Sequence, residues 1–226
     1  MTMQGIQAAI LSSGGILYLM VLLLFVAITV IIERAWYLTR MLNHGKQVLE
    51  EVTNVDKVSA QAFQAVVNRN SDLPHAKVLK SAIKHDLAHD FERISDKLEE
   101  SIMREAPRVD RFLWILDTIV TLAPLLGLLG TIIGMFNAFQ VLGDVANSPT
   151  KVTGGVAEAL LSTAAGLTIA IIGLVALNGL NNRVRVIMHQ LETLKMMLLN
   201  RLYPHYHESL EEQKRFLAEM RATAAA

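Results

Sequence analysis

The chain lacks cysteine, which excludes disulfide bonds and thiol chemistry. It is also poor in charge, since Asp, Glu, Lys and Arg make up 19% of its 226 residues, against about 25% in an ordinary soluble domain. The formal net charge is zero, so no nucleic-acid partner is indicated. Hydrophobic residues make up 52% and are segregated from the charges. This segregation favours a membrane protein over a soluble enzyme.

Recognisable catalytic motifs are also missing. The sequence contains no nucleophile elbow, phosphate loop or zinc motif, so we predict neither an enzyme nor a bound cofactor. His85 and His89 have the i, i+4 spacing that can hold a metal ion. Asp86 and Asp90 lie beside them, and the whole pattern is more typical of a solvated helix face. We therefore predict no metal site.

Three long runs carry no charged residue. They extend from Ile16 to Ile32, from Thr118 to Gly143 and from Ala159 to Asn182, over seventeen, twenty-six and twenty-four residues. A helix needs about 20 residues to cross a bilayer, so the sequence predicts three transmembrane helices. No Lys or Arg precedes the first run, unlike the start of a signal peptide, so we expect that run to be retained as a span.

The distribution of Lys and Arg predicts the orientation of these spans. None precedes the first span, thirteen lie from Arg34 through Arg111, Lys151 alone lies between the second and third spans, and seven follow the third. Positive residues accumulate on the cytoplasmic side. We therefore expect the N-terminus and the Gly143–Val156 link to lie outside, and the long middle region and the tail to lie in the cytoplasm.

The expected fold is all-α, with long helices extending from the membrane into the cytoplasm. Apolar residues recur every three or four positions from His75 to Glu105, which predicts one amphipathic helix running towards the second span with a kink at Pro107. A turn is predicted before Pro74, and a second apolar stripe predicts a C-terminal helix from Val184 to Leu202. The expected regions are 1–38 with the first span, 39–111 in the cytoplasm, 112–182 with the second and third spans, and 183–226 in the cytoplasm.

The second and third spans are rich in small residues, unlike the first. Gly130 and Gly134 form a GxxxG pair, and Ser162, Gly166 and Ala170 form a similar series. Small residues allow membrane helices to approach closely. The two spans are therefore predicted to form a tightly packed hairpin.

Polar residues in these two spans leave several interpretations open. The hydroxyls of Thr131 and Thr163 could line a path, or could bond to a backbone carbonyl one turn back. Glu158 could reach water at the membrane surface, or could be functional. It shares a helix face with Ser162, whereas Thr163 lies about 140° away. The middle of the spans carries no titratable group, so a proton carrier would have to be water or a partner helix.

Two segments of these spans carry a family resemblance. The stretch LAPLLGLLGTIIGMFNAF at 122–139 and the stretch GVAEALLSTAAGL at 155–167 resemble the second-span and third-span signatures of the MotA/TolQ/ExbB proton-channel family. The number of spans is similar to that of the three-span branch, ExbB and TolQ, and the chain looks most like ExbB. The flagellar stator subunit MotA, with four spans, fits less well.

The resemblance implies a homopentamer in the bacterial inner membrane, surrounded by lipid. Its second and third spans would line a pore around the single-span helix of an ExbD-like or TolR-like partner, which carries the proton-accepting Asp. Proton flow would drive a motor that energises outer-membrane transport through a TonB-like protein. The matching positions imply a pore role for Thr131, Thr163 and Glu158, and we add the neighbouring Ser162 to this path. Helix packing and pore shape are expected to depend on Pro124, Gly127, Gly130, Gly134 and Gly166.

The motifs also depart from the family pattern. Ala123 precedes Pro124 where Ser is expected, and Ser162 precedes Thr163 where Ala is expected. The additional hydroxyl leaves the conducted ion, proton or sodium, open. Two alternatives remain beside the ExbB-like function: a TolQ-like or flagellar-stator-like motor subunit with another load, and a membrane scaffold that conducts nothing.

Overall fold

The computed structural model describes residues 15–54, 60–84, 91–140 and 149–203. Within these ranges the chain forms six α-helices and no strand, which confirms the predicted all-α class. The helices are α1 Ile16–Asn54, α2 Ala60–Arg69, α3 Pro74–Lys84, α4 Phe91–Val109, α5 Leu113–Gln140 and α6 Pro149–Leu202.

The chain divides into two compact units. One, here called the span unit, comprises Met1–Leu38 and Asp110–Asn182. The other, here called the helical extension, comprises Thr39–Val109 and Arg183–Ala226. Helices α1 and α6 contribute residues to both units, whereas α5 belongs to the span unit and α2, α3 and α4 belong to the extension.

The three helices of the span unit are long and apolar enough to cross a membrane. Their most apolar windows have mean hydropathies of 2.8 in α1, 2.2 in α5 and 2.3 in α6. Only 17%, 22% and 28% of those windows is buried within the chain. So much exposed apolar surface would be unfavourable in water. The three predicted transmembrane helices are therefore confirmed, and the chain is a multi-pass membrane protein.

Two exposed tryptophans mark the ends of apolar segments. Trp36 is 68% exposed in α1, two residues after Arg34, and Trp114 is 69% exposed in α5, three residues after Arg111. Tryptophan beside basic residues is typical of the interface between lipid and water. The apolar part of α1 therefore ends near Trp36, and that of α5 begins near Trp114.

The link between the second and third spans is shorter than predicted. Helix α6 begins at Pro149, so its first residues occupy part of the Gly143–Val156 segment that was expected to be a loop. Proline suits the first position of a helix, because its φ angle is already helical and its missing N–H would have no partner there.

The chain has a helix break between Pro107 and the second span. Helix α4 continues through Pro107 and ends at Val109, and α5 starts at Leu113. Between them Phe112 has a φ of 67°, in the left-handed region. That conformation costs a non-glycine residue roughly 1–2 kcal/mol. The helix is thus interrupted by a left-handed residue between Val109 and Leu113, and the kink at Pro107 stays a prediction.

The single helix predicted from His75 to Glu105 is also wrong, because α3 and α4 pack side by side as a hairpin. Lys77 Nζ lies 2.9 Å from Glu105 Oε2, although the two residues are 28 positions apart. In one continuous helix they would be separated by about 42 Å. The period of the apolar residues identified the buried face of each helix, but it does not report a reversal between them.

The described helices of the extension enclose an aliphatic core. Leu79 of α3, Ile94 and Leu98 of α4, and Leu191 and Leu194 of α6 are almost fully buried in it. The buried positions of α6 confirm the apolar stripe predicted between Val184 and Leu202. The predicted turn is present as well, since α2 ends at Arg69 and α3 starts at Pro74.

Polar contacts join the last helix to the others in the extension. Arg201 donates hydrogen bonds to the carbonyls of Val52 and Thr53, at the end of α1 where carbonyls lack helical partners. Lys195 Nζ lies 2.6 Å from Glu99 Oε2 of α4. These contacts fix the position of α6 beside α1 and α4 within this unit.

Candidate functional site

A seam of small residues joins α5 to α6 in the span unit. A Cβ added to Gly134 would lie 2.8 Å from the Cβ of Ala159, and one added to Gly155 would lie 2.8 Å from the Cβ of Ala138. Towards the other end of the hairpin, a Cβ on Gly166 would collide with the carbonyl oxygen of Ala123. The helices therefore run antiparallel at a separation that larger side chains would prevent. We call these contacts the hairpin seam.

A side-chain hydrogen bond between the two helices lies at the centre of the seam. Thr163 Oγ1 donates to the carbonyl oxygen of Gly127 at 3.0 Å. A Cβ on Gly127 would lie 3.0 Å from the Cα of Thr163, so the glycine is what permits this approach. The hydroxyl therefore lies between the helices, bonded to the facing helix rather than to its own.

Thr131 lies one turn beyond Gly127 on α5. Its hydroxyl donates to the carbonyl of Leu128 at 2.6 Å, within the same helix. The side chain is half-buried, and the helical pattern directs its backbone N–H to the carbonyl of Gly127. The two threonines predicted from the sequence therefore share one acceptor, the carbonyl of Gly127. Thr163 donates to it through its hydroxyl, and Thr131 through its backbone N–H.

Ser162 packs directly against Gly130. Its side chain is fully buried, and a Cβ on Gly130 would overlap its Oγ and lie 2.8 Å from its Cβ. Among the described residues its hydroxyl has no hydrogen-bond partner. The structure thus places Ser162 in the seam, while Thr163 lies one position further along α6.

Glu158 and Pro124 lie near the two ends of the seam. Glu158 is half-buried and precedes Ala159, which contacts Gly134. Pro124 is half-buried and follows Ala123, whose carbonyl faces Gly166. Because proline has no N–H, the carbonyl of Val120 loses its usual helical donor. Both residues are close to the contacts between the helices without being fully enclosed by them.

The opposite faces of the hairpin are apolar and uncovered. Leu125 is 61% exposed and Phe136 is 62% exposed on α5, and Leu160 and Val175 are 63% and 70% exposed on α6. Lipid, further copies of the chain or a partner helix would have to cover these side chains. The hairpin therefore presents apolar surface that suits lipid or other apolar helices.

A buried arginine lies at the end of the first span. The Cζ atom of Arg34 is 4.9 Å from the ring centroid of Tyr37 and 5.0 Å from that of Phe112. Its Nε lies 2.7 Å from the carboxylate of Glu33, without the alignment of a hydrogen bond. The left-handed conformation of Phe112 therefore coincides with an aromatic cover for a desolvated cation. The sequence indicated Arg34 only as a topological marker.

A second polar cluster, not found from the sequence, lies in the helical extension. His75 is fully buried beside Gly45 and Gln190, and a Cβ on Gly45 would lie 2.6 Å from Gln190 Oε1. Burial lowers the pKa of His75 from 6.5 to about 4, an effect that the Gln190 side chain partly offsets. The sequence signal that could have indicated this cluster is Gly45, a glycine in the interior of a long helix.

Metal binding is the remaining sequence question. Among residues 15–54, 60–84, 91–140 and 149–203, no group of three or more His, Asp and Glu side chains is arranged to hold a metal ion. His85 and His89, the pair with metal-compatible spacing, lie outside the described residues.

Comparison with known proteins identifies a protein family and several relatives. The profile of the MotA/TolQ/ExbB proton channel family matches residues 70–193. The ExbB-like 3 biopolymer transport protein of Synechocystis sp. is 34% identical over 156 residues, which cover 67% of this chain and 73% of that protein.

Other relatives are named as ExbB and as TolQ proteins. The biopolymer transport protein ExbB of Neisseria gonorrhoeae is 30% identical over 151 residues, 65% of this chain and 66% of the relative. The Tol-Pal system protein TolQ of Pseudomonas aeruginosa is 34% identical over 94 residues, 41% of each chain. Similarity to both types does not separate an ExbB from a TolQ.

Proposed function

The chain belongs to the MotA/TolQ/ExbB proton channel family, and on this premise we propose that it is the channel-lining subunit of an ion-driven, ExbB-like motor of the bacterial inner membrane. Helices α5 and α6 line the path of the ion. The observation that carries the proposal is the hydrogen bond from the Thr163 hydroxyl to the Gly127 carbonyl, which holds a polar group of the third span against the second within a close-packed hairpin.

The path proposed here needs a carboxylate from another chain. Thr131, Ser162 and Thr163 offer hydroxyls, which can orient water or a carboxyl group but do not exchange protons readily near neutral pH. Glu158 is the one carboxylate assigned to this path, and it immediately precedes the third apolar run. An ExbD-like or TolR-like single-span subunit therefore supplies the proton-accepting Asp, and the hydroxyls of this chain surround it.

Assembly into a homopentamer is part of the same proposal. The exposed apolar faces of α5 and α6 would pack against the same helices of neighbouring copies, against lipid and against the partner helix. Small residues keep each hairpin narrow, so that several copies can surround a central helix. The predicted orientation, with the N-terminus outside, places the helical extension in the cytoplasm.

We also propose which protein this motor acts on. We favour a TonB-like protein and outer-membrane transport, because relatives named as ExbB or ExbB-like match over about two thirds of the chain. Relatives named as TolQ match over 41% and 58% of it. A TolQ-like motor that acts on the Tol-Pal system is the second candidate.

Reconstitution with the partner tests the channel. The chain and its single-span subunit are placed in liposomes under a pH gradient, and proton entry is followed with a pH-sensitive dye. Thr131→Val and Thr163→Val preserve shape and remove the hydroxyl. We expect each to reduce partner-dependent proton entry at least tenfold. Thr168→Val is the matched control, because its hydroxyl is exposed and bonds within α6 to Ala164.

The outcomes separate a channel from a scaffold. The proposal is supported if proton entry requires the partner, is retained in Thr168→Val and is reduced in both Thr131→Val and Thr163→Val. If both hydroxyl variants conduct like the wild type, the threonines are packing residues and the site assignment fails. If the wild type passes neither protons nor sodium with its partner and load present, a non-conducting scaffold is the better description.

A further inference from the structure

A basic cleft lies between α3 and α4 in the helical extension. Its volume is about 320 Å³. Helix α3 contributes Lys77, Lys80 and Ser81, and α4 contributes Lys97, Glu100, Ser101 and Arg104. All of these positions belong to one unit of the structure, and none belongs to the hairpin seam or to the family signatures.

The sequence spacing explains why these side chains meet. Positions separated by three and four residues lie on one face of a helix. The lining residues of α3 and of α4 follow that spacing, and their polar face borders the apolar face that carries Leu79 and Leu98. Because the helices run antiparallel, with Lys77 beside Glu105, the two polar rows face the same cleft.

Positive charge exceeds negative charge in this cleft. Lys97 Nζ lies 3.0 Å and Arg104 Nη2 lies 2.6 Å from the carboxylate of Glu100, so two cations share one anion. This arrangement lowers the pKa of Glu100, chiefly through its hydrogen bond with Lys97, and keeps the carboxylate charged. Lys77 is matched by Glu105, whereas Lys80 has no ion pair within the described residues. Lys80, Lys97 and Arg104 against Glu100 leave an excess of two positive charges.

Two hydroxyls complete the lining. Ser81 and Ser101 are half-buried, one on each helix. Neither makes a hydrogen bond to another residue in the part of the chain that the structure describes. Hydroxyl, ammonium and guanidinium groups are the donors that proteins use for phosphate oxygens. The cleft therefore combines an excess of positive charge with three donors, Lys80, Ser81 and Ser101, that have no partner among the described residues.

We propose that this cleft binds a phosphate-bearing anion, with Lys80 and Lys97 as its principal cations and the two serines as hydrogen-bond donors. A phosphate monoester carries about −1.5 to −2 at neutral pH, which balances the excess of two. The phosphate could belong to a free solute or to the headgroup of an anionic lipid, since both present anionic phosphate oxygens, three on a monoester and two on a lipid diester. The site is independent of the proposed ion path.

The alternative is a solvated face whose ion pairs only support the hairpin. Exposed pairs at i, i+3 and i, i+4 contribute little to stability. Such a face would bind phosphate no better than other exposed lysines do. A matched pair of charge-removing variants therefore distinguishes the two possibilities.

The experiment measures binding of inorganic phosphate to the full chain in phosphatidylcholine nanodiscs by isothermal titration calorimetry. We expect one phosphate per chain. The double variant Lys80→Gln with Lys97→Gln should weaken binding at least tenfold. The control, Lys46→Gln with Arg185→Gln, removes two exposed charges of the same unit outside the cleft and should bind like the wild type.

A second variant and a second lipid complete the design. Ser81→Ala with Ser101→Ala removes no charge, and should weaken binding several-fold while leaving the helix content measured by circular dichroism unchanged. If one fifth of the lipid is phosphatidylglycerol and phosphate binding to the wild type falls tenfold, the ligand is a lipid headgroup; if binding is unchanged, it is a soluble phosphate. Absence of binding in phosphatidylcholine, or equal binding by the wild type and both cleft variants, overturns the proposal.

Discussion

The hydroxyl of Thr163 on α6 donates a 3.0 Å hydrogen bond to the carbonyl of Gly127 on α5. That carbonyl is also the helical acceptor for the N–H of Thr131. A single backbone oxygen thus accepts hydrogen bonds from both spans, from Thr163 of the third and from Thr131 of the second. A shift of one helix along the other would break this connection as well as the small-residue contacts around it.

Loss of the Thr163 hydroxyl should destabilise the hairpin only slightly. Hydrogen bonds between membrane helices contribute about 0.6 kcal/mol on average. Thr163→Val should lower the free energy of unfolding by about that amount, measured by titration with sodium dodecyl sulfate in mixed micelles. Thr163→Ser keeps the donor and should recover most of the loss. A loss of several kcal/mol in the valine variant would mean that Thr163 acts through packing.

A methyl group at Gly166 should separate the helices. Its Cβ would collide with the carbonyl of Ala123 and lie 3.1 Å from the Cα of Gly127, and backbone atoms cannot move aside as side chains do. We expect Gly166→Ala to cost about 1–3 kcal/mol in the same unfolding measurement. A Cβ at Gly179, on the same helix, would have no atom within 4 Å. Gly179→Ala should therefore be neutral or stabilising, and equal effects at the two positions would contradict the seam.

The absence of cysteine allows the register of the hairpin to be tested by cross-linking. Ala138→Cys with Gly155→Cys should form a disulfide on mild oxidation, because the two Cβ positions need to separate by only about 1 Å to reach the usual 3.8 Å. The disulfide is detected as a difference in electrophoretic mobility between the oxidised and the reduced chain. Ala138→Cys with Gly154→Cys should remain unlinked, because a Cβ at Gly154 has no neighbour within 4 Å. The reverse pattern would place the helices one residue out of register.

Acid should destabilise the helical extension through His75. Its pKa is 6.5 when unfolded and about 4 when folded, so the unfolded chain binds more protons between these values. The contribution of His75 to the free energy of unfolding is thus fully present above pH 6.5 and is lost as the pH decreases through 4. At about 1.4 kcal/mol per pKa unit, the full loss is about 3 kcal/mol.

Substitution of His75 should flatten this dependence. His75→Leu removes the titrating group, and the melting temperature of the extension should then vary less between pH 6.5 and pH 4, as followed by circular dichroism. His189 is exposed on α6, so His189→Gln should retain the dependence of the wild type. An unchanged pH profile in His75→Leu would assign acid sensitivity to other groups.

The sequence predicted the elements that depend on local pattern. Charge-free runs identify spans, because a bilayer imposes their length and composition. Glycines at Gly130, Gly134 and Gly166 indicated a close-packed face, because a small residue at every turn has few other uses in a span. The partner of each glycine was not predictable, since it depends on the register between two helices.

The structural features that the sequence did not predict depend on the tertiary arrangement of the helices. The 3.6-residue period continues from α3 into α4 whether or not the chain reverses between them, so Lys77 and Glu105 could not be paired from the sequence. His75, Gly45 and Gln190 come from three helices and meet only after packing. The positive φ of Phe112 likewise has no signature in its own residue type, which disfavours that conformation.

The two kinds of interior in this chain should respond differently to heat. The hairpin seam is made of glycine, alanine and hydroxyl-bearing residues that exchange lipid contacts for protein contacts, so its separation exposes little apolar surface to water. The core of the extension, with residues such as Leu79, Leu98 and Leu194, exposes much more. Exposure of apolar surface to water is what raises the heat capacity on unfolding. Calorimetry of the whole protein should therefore register mainly the extension, and the temperature of its maximum stability would be a property of that unit.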